Sequence, residues 1–432
     1  MTLTNLIVLL LAVASVVQGQ LRGAISSETH PNLSTSKCTS SGCTTQASKI
    51  TLDANWRWLH GPAPDYNNCF PGPGWDATLC PDPVTCAKNC ALDGANYANT
   101  YGVSTSGSNL TLLLFPQGGG IGSRVYLMSD DQHYQLFKLK NQELSFDVDI
   151  SGIPCGANGA LYFTSMPTDG GQSAFVNNKA GAYMGTGYCD AQCPRDIKFI
   201  NGEYGSCCAE VDIWESNAAA TAYTAHPCSM TGSSRCDSAS STACSVCDSS
   251  GCDFNPYRMG NTSFFGQGKT VSTSPGKLRV ITQFITADGT STGALSEIRR
   301  GYIRGGKVIT NAASNIAGVS GNSLTDTYCS AEKKAFAETD TFAAKGGMKS
   351  TSAALEGGMV LTMSVWVDYS AHMRWLDSSY PDGKTGPGVV RGPCATSTGD
   401  PADLRSAYPN AQVQFSNIKV GDIGSTFGPP YP

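Results

Sequence analysis

Period-two alternation of apolar and polar side chains is the dominant pattern along this chain. Leu144, Phe146, Val148 and Ile150 alternate with Glu143, Ser145, Asp147 and Asp149, which predicts a half-buried strand. In GMVLTMSVWVDY, residues 358–369, Met359, Leu361, Met363, Val365 and Val367 form an apolar face, opposite Thr362, Ser364, Trp366 and Asp368. Leu278, Val280, Thr282 and Phe284 continue the theme. Long Gly/Ser/Asn-rich loops separate these segments and helical periodicity is scarce. Together they predict a large antiparallel β-sandwich.

Side-chain parity then points to candidate chemistry. Trp56, Trp58 and His60 share one face of ANWRWLH, and Trp366 lies on a polar sheet face with Asp368. Core packing is the ordinary fate of tryptophan. Several such faces with neighbouring Asn, Gln, Tyr and Arg instead suit a carbohydrate cleft, where flat sugar faces stack on indole. The sharpest feature is GSCCAEVDIWESN, residues 205–217, with Glu210, Asp212 and Glu215 within six positions. Strict alternation directs Glu210 and Asp212 to one face and Val211 and Ile213 to the core. Glu215 has the wrong parity, so joining the three requires a bulge or a strand end. Five extended residues span roughly 16 Å. Two long side chains converging across a bulge bring their carboxyls into the ~5–9 Å range used by glycosidases. A solvated strand carrying three unrelated acids is the bland alternative.

Composition narrows the setting. The 432 residues include only 15% charged side chains, with a net charge of -5. No Lys/Arg-rich run provides a footprint for nucleic acid. The 18 cysteines suit an oxidising compartment. Leu6–Val17 is too short and too early to be a membrane span, and reads as a signal-peptide core with residues 1–19 removed. Secretion makes Asn32, Asn109 and Asn261 potential glycosylation sites. Adjacent Cys207 and Cys208 cannot both reach one partner, so they bridge two others, with Cys189 and Cys193 as natural candidates. Cys244-x-x-Cys247 resembles half a zinc site, but disulfides are the expected use in such a chain. The run Gly118–Gly122 lacks the Lys-Ser/Thr and βαβ setting of a nucleotide loop, and reads as a turn. Length alone suggests two or three domains. No linker or repeat divides the chain.

With these residues in view, the chain resembles glycoside hydrolase family 7, the secreted cellobiohydrolases and endoglucanases that cleave β-1,4-glucan. The resemblance runs from SETHPNL near residue 27 through LDANWRW, LSFDVD, NGALYF, GTGYCDAQCPRDIKFING, CDFNPYRMGN and WLDSSYP to FSNIKVGDIGST near residue 426. It implies a single curved β-sandwich of the concanavalin-like jelly-roll type over residues 20–432, with disulfide-stapled loops and no linker or cellulose-binding module. It further implies a retaining mechanism without metal or organic cofactor, acting as a monomer on cellulose or another β-1,4-glucan. Carried over by motif, Glu210 is the nucleophile, Glu215 the acid/base, Asp212 the residue that tunes the nucleophile, and His226 a neighbour of the acid/base. Trp56, Trp58, Trp366 and Trp375 match stacking positions. Arg124, Asn158, Tyr162, Tyr188, Asp190, Gln192, Arg258 and Arg391 match polar subsite positions. The family pattern pairs cysteines 38–43, 69–90, 80–86, 155–394, 189–208, 193–207, 228–247, 236–244 and 252–329.

Departures from the family's tunnel-forming members concern mode of action. The Asn201–Tyr204 loop is short, Cys244 and Cys247 enclose only Ser245 and Val246, and Ser370 stands where tunnel members carry Tyr. Tyr380–Arg391 keeps the long product-side loop, and Trp214 is kept. Two covering loops lost against one kept favour endo action over a partly open cellobiohydrolase tunnel. A non-catalytic glycan-binding sandwich is the remote alternative.

Overall fold

The computed structural model describes residues 20–72, 74–195, 204–237 and 244–427, so the predicted signal peptide lies outside the described residues. Two large sheets stack with the main core between them. One is nine-stranded, ordered His133–Tyr134, Ser123–Asp130, Met359–Val367, Ala157–Thr164, Glu210–Ser216, Thr221–His226 and Cys252–Phe254, with Lys49–Leu52 and Leu136–Phe137 joined at its side. The other is ten-stranded and centres on Leu278–Thr286, Gln142–Asp149 and Gln412–Asp422. This is the predicted β-sandwich. Within the large sheets one described pairing departs from the antiparallel pattern: Thr35–Thr39 runs parallel to Gln412–Asp422.

The apolar faces meet as their alternation requires. Met359, Leu361, Met363 and Val365 from one sheet and Leu144, Phe146, Val148, Leu278, Val280 and Phe284 from the other are all buried in one cluster. The Gln142–Asp149 strand differs from the half-buried expectation, because Glu143, Ser145 and Asp147 are buried too. Glu143 accepts hydrogen bonds from Gln283 at 2.7 Å, Gly424 N–H at 3.0 Å and Thr426 N–H at 3.1 Å. Asp147 accepts from Arg279 at 2.6 Å and Asn417 at 2.7 Å. The outer face is covered by a C-terminal segment and ion pairs, and each buried acid is satisfied.

All nine expected disulfides form, including Cys189–Cys208 and Cys193–Cys207, which clamp the start of the acidic strand to the preceding loop. The glycine run is a turn, as expected. Gly122, at φ +63°, is required there: a Cβ would lie 2.0 Å from the Val365 carbonyl oxygen of the adjacent strand.

Candidate active site

The acidic strand Glu210–Ser216 runs between Ala157–Thr164 and Thr221–His226. Thr164 pairs with Glu210 and Tyr162 with Asp212, but the next pair is Leu161 with Trp214, which leaves Ile213 as an extra residue. On the other side the register likewise slips between Asp212 and Glu215. This bulge supplies the parity change the sequence required, bringing Glu215 to the face of Glu210 and Asp212. On the regular neighbour the two glutamates stand opposite Thr164 and Ala160. That interval is about 13 Å of strand, shorter than five extended residues would span. Ile213 and Trp214 fill the core instead, with Trp214 edge-on to Phe146 and Phe265.

Glu210 and Asp212 are buried and Glu215 is half-buried, and none is unsupported. Glu210 accepts the Ala191 N–H at 3.1 Å, and Glu215 accepts the Asn158 amide at 2.9 Å. The Asn158 oxygen in turn accepts Ser216 N–H at 2.9 Å, which fixes the amide orientation. Asp212 faces His226, whose Nε2 lies 3.1 Å from it, while Nδ1 donates to the Asp248 carbonyl at 2.8 Å. Burial opposes a charge on His226, but the hydrogen bond and attraction of Asp212 outweigh it and lift the imidazole to about 9. Burial, then the charges of Asp212 and Asp190, push Glu210 well above the ordinary carboxylate range. Burial and Asp212 do the same to Glu215, although His226 opposes them. Asp190 is raised to about 6 by burial, partly offset by the Tyr188 hydroxyl at 2.8 Å. The acids therefore titrate as a set, and protons stay on it into mildly acidic solution.

The remaining predicted residues are distributed around this cluster. Tyr162, Tyr188, Asp190 and Arg124 adjoin the carboxyls: the two tyrosine hydroxyls are 3.1 Å apart, and the Arg124 guanidinium sits 3.3 Å above the Tyr188 ring. Arg124 also lies 5.3 Å from the centre of Trp56. At the other end Trp366 and Trp375 stack at 6.1 Å, and Trp375 Nε1 donates to Asp368 at 3.0 Å. Gln192 is exposed and donates to the Ser249 carbonyl at 3.1 Å. Arg258 is 2% exposed. Its guanidinium is committed to Asp253, Glu332, Glu338 and the Gly388 carbonyl, so it braces the Tyr380–Arg391 loop from beneath. Arg391 lies at the edge of this cluster, 3.6 Å from Glu338. The shared face predicted for Trp56, Trp58 and His60 is broken: Trp56 ends a 3-10 turn capped by Asp53, while the Trp58 and His60 rings meet at a tilt with centres 4.4 Å apart.

Sequence reasoning missed Asp53 and Tyr126, which together hold Arg124. Tyr126 shares Arg124's parity in SRVYLM, and Asp53-x-Asn55 is a capping pattern, so both were detectable. The Ala191 N–H and Asp248 carbonyl are backbone groups, and no residue-type signal reveals them.

One oxygen or nitrogen each from Glu210, Asp212 and His226 lie within 4.8 Å of one another, the only described group of metal-capable side chains outside the disulfides. Each member already has a protein partner. The described cysteines in the other groups are all oxidised and offer no thiolate.

Two glutamates and an aspartate gathered on one face of a sandwich strand are the kind of side-chain set that glycoside hydrolysis uses. A family model described as Glycosyl hydrolase family 7 matches residues 22–427. Solved relatives include a family 7 cellobiohydrolase from Daphnia pulex, 42% identical, covering 94% of this chain and 100% of that one, with a TM-score of 0.90. A Melanocarpus albomyces cellobiohydrolase complexed with cellotetraose is 40% identical over the same shares, at 0.87. Endoglucanase I complexed with cellobiose is 38% identical, again over 94% and 100%, at 0.82. The chain belongs to glycosyl hydrolase family 7 and is an enzyme of this cellulase family.

Proposed function

We propose that the protein hydrolyses β-1,4-glucosidic bonds of cellulose with retention, using Glu210 as nucleophile and Glu215 as acid/base. The observation that carries this reading is the bulge at Ile213, which puts both glutamates and Asp212 on one face. Glu215, raised by burial, keeps its proton in mildly acidic solution and delivers it to the leaving glycosidic oxygen. Glu210, oriented by the Ala191 N–H, attacks the anomeric carbon in its ionised form as the bond to the protonated leaving oxygen breaks, which gives a glycosyl-enzyme intermediate. Glu215, now ionised, takes a proton from the water that attacks that carbon and releases Glu210. Burial and the negative charge of Asp212, itself held by His226, raise both glutamates and so keep a proton within the pair for delivery to the leaving oxygen. Glu210→Gln tests the assignment: turnover of soluble cellulose derivatives falls at least a thousandfold, and retained activity would refute it.

The enzyme is proposed to act on this substrate outside the cell, as a monomer; its nine disulfides suit an oxidising compartment. The finer reading is endo cleavage. Ser245 and Val246 are fastened down between two disulfides, with the Val246 carbonyl accepting Ser229 N–H at 2.9 Å, and they provide no span to cover the cleft. Residues 201–203 of the other short loop lie outside the described residues. A second reading, cellobiose release from chain ends, is supported by the braced Tyr380–Arg391 loop and by the higher TM-scores to the two cellobiohydrolases. Viscosity and reducing-sugar release on carboxymethylcellulose separate the two. Rapid viscosity loss supports endo action, whereas slow loss with abundant cellobiose supports the second reading.

A further inference from the structure

The bulge that brings Glu215 to the face of Glu210 sets two residues of one strand against one of the next. Asp212 pairs with Thr224 and Glu215 with Ala222, so Ile213 and Trp214 stand opposite Tyr223 alone. Toward Ala157–Thr164, Ile213 is again the extra residue, between the pairs made by Asp212 and Trp214. Ile213 therefore belongs to neither register, and it is buried. A backbone carbonyl at such a position needs a donor from outside the ladder.

That donor comes from the opposite sheet. In the strand Leu295–Arg304, Ile298 and Tyr302 are buried in the main core, and Arg300, at the same parity, is 1% exposed. Arg299 takes the other face, where it pairs with Glu297 at 2.9 Å. Arg300 is thus a cation at a core position of an alternating strand, a second break in pattern besides Glu215. Its guanidinium is oriented from its own sheet: Nε donates to the hydroxyl of Thr282, its register partner, at 3.2 Å. Nη2 donates to the Ile213 carbonyl, and the guanidinium carbon lies 4.4 Å from the centre of the Tyr223 ring. Arg300 therefore reaches across the sandwich to both sides of the slipped register, the extra residue and the residue opposite it. An apolar side chain would fill this space without burying a charge, but it would take this donor from the Ile213 carbonyl.

We infer that Arg300 is a positioning residue for the acid/base: by donating across the core to Ile213 it holds the bulge, and the bulge holds the Glu215 carboxyl on the face of Glu210. The inference rests on the acid/base reading of Glu215 above and names the core contact that keeps that carboxyl in place. Arg300 itself is buried between the sheets and touches no substrate. Without its donor the strand is free to relax toward regular alternation. A displacement of the Glu215 carboxyl by about 1 Å then costs on the order of 100-fold in rate.

The test compares two substrates that differ in their need for the acid. Cellotetraose has a poor leaving group that must be protonated, whereas the phenolate of 2,4-dinitrophenyl β-cellobioside departs without a proton. In Arg300→Met, which removes the donors, kcat/KM for cellotetraose is expected to fall about 100-fold and that for the aryl cellobioside less than about fivefold. Thr282→Val frees the guanidinium from its anchor with little change in volume and serves where Arg300→Met does not fold. It is expected to give the same selective loss at about three- to tenfold. Equal losses on both substrates in either variant would overturn the assignment, since they indicate general damage to the core. Unchanged cellotetraose turnover in folded Arg300→Met would overturn it as well, and both results leave the glucanase reading intact. If the unmodified protein cleaves neither substrate, the glucanase reading fails and this inference falls with it.

Discussion

Asp377 links stability to pH in the turn beside Trp375. It closes the helical turn Arg374–Asp377 that carries Trp375, and its carboxyl is fully buried. Its Oδ2 accepts the Gly156 N–H at 2.8 Å and the Asn217 amide at 2.7 Å, tying that turn to the acidic strand's end. Oδ1 has no hydrogen-bond partner among the described residues. Burial lifts the group from 3.8 to about 6, more than the two hydrogen bonds lower it. A raised folded-state value means that the stabilisation is complete below the unfolded value of 3.8 and is lost as pH rises through 6. A shift of roughly two units corresponds to about 3 kcal/mol. With an unfolding entropy of ~2.1 cal/mol/K per residue over roughly 400 residues, that is a Tm change of about 3–4 °C. Asp377→Asn preserves the acceptor oxygen and removes the titration. Scanning calorimetry from pH 4 to 8 should therefore show a Tm curve flatter by about 3–4 °C in the variant. The other raised acids titrate in both proteins, so the difference isolates Asp377. Parallel curves would refute the reasoning.

Two further outcomes follow from the site. His226→Asn removes a cation that holds Glu215 down, so the alkaline limb of kcat/KM should move up by about one pH unit, with a lower maximum. An unshifted limb in a pH–rate profile on a soluble substrate would refute that coupling. Trp214→Ala removes a fully buried indole packed on Phe146 and Phe265 and should cost about 3–5 kcal/mol in denaturant unfolding, whereas Trp214→Phe should recover most of it.

The sandwich was legible because alternation is a direct imprint of burial. Met359, Leu361, Met363 and Val365 read as a core face and form one. The Gln142–Asp149 strand was half legible, since its apolar face was visible but the cover over Glu143 comes from residues 283, 424 and 426, which no local pattern connects to it. Arg258 illustrates the same limit within the site. Its motif places it beside a glucan chain, but Asp253, Glu332 and Glu338 converge on it from segments spread over 86 positions, and burial follows from that convergence.

Glu215 is the instructive residue. Its parity conflicts with Glu210 and Asp212, and a strand read strictly would place it in the core beside Val211. Burying a lone carboxylate there would cost several kcal/mol, while exchanging places with Trp214 removes that cost and fills the core with an indole. The bulge at Ile213 accomplishes this exchange: Trp214 goes in and Glu215 comes out opposite Ala160. A sequence that breaks its own alternation with a large apolar residue directly before an acid therefore carries a physical signal for a bulge. The local conflict in the pattern marks the position at which chemistry, rather than regular pairing, determined the strand.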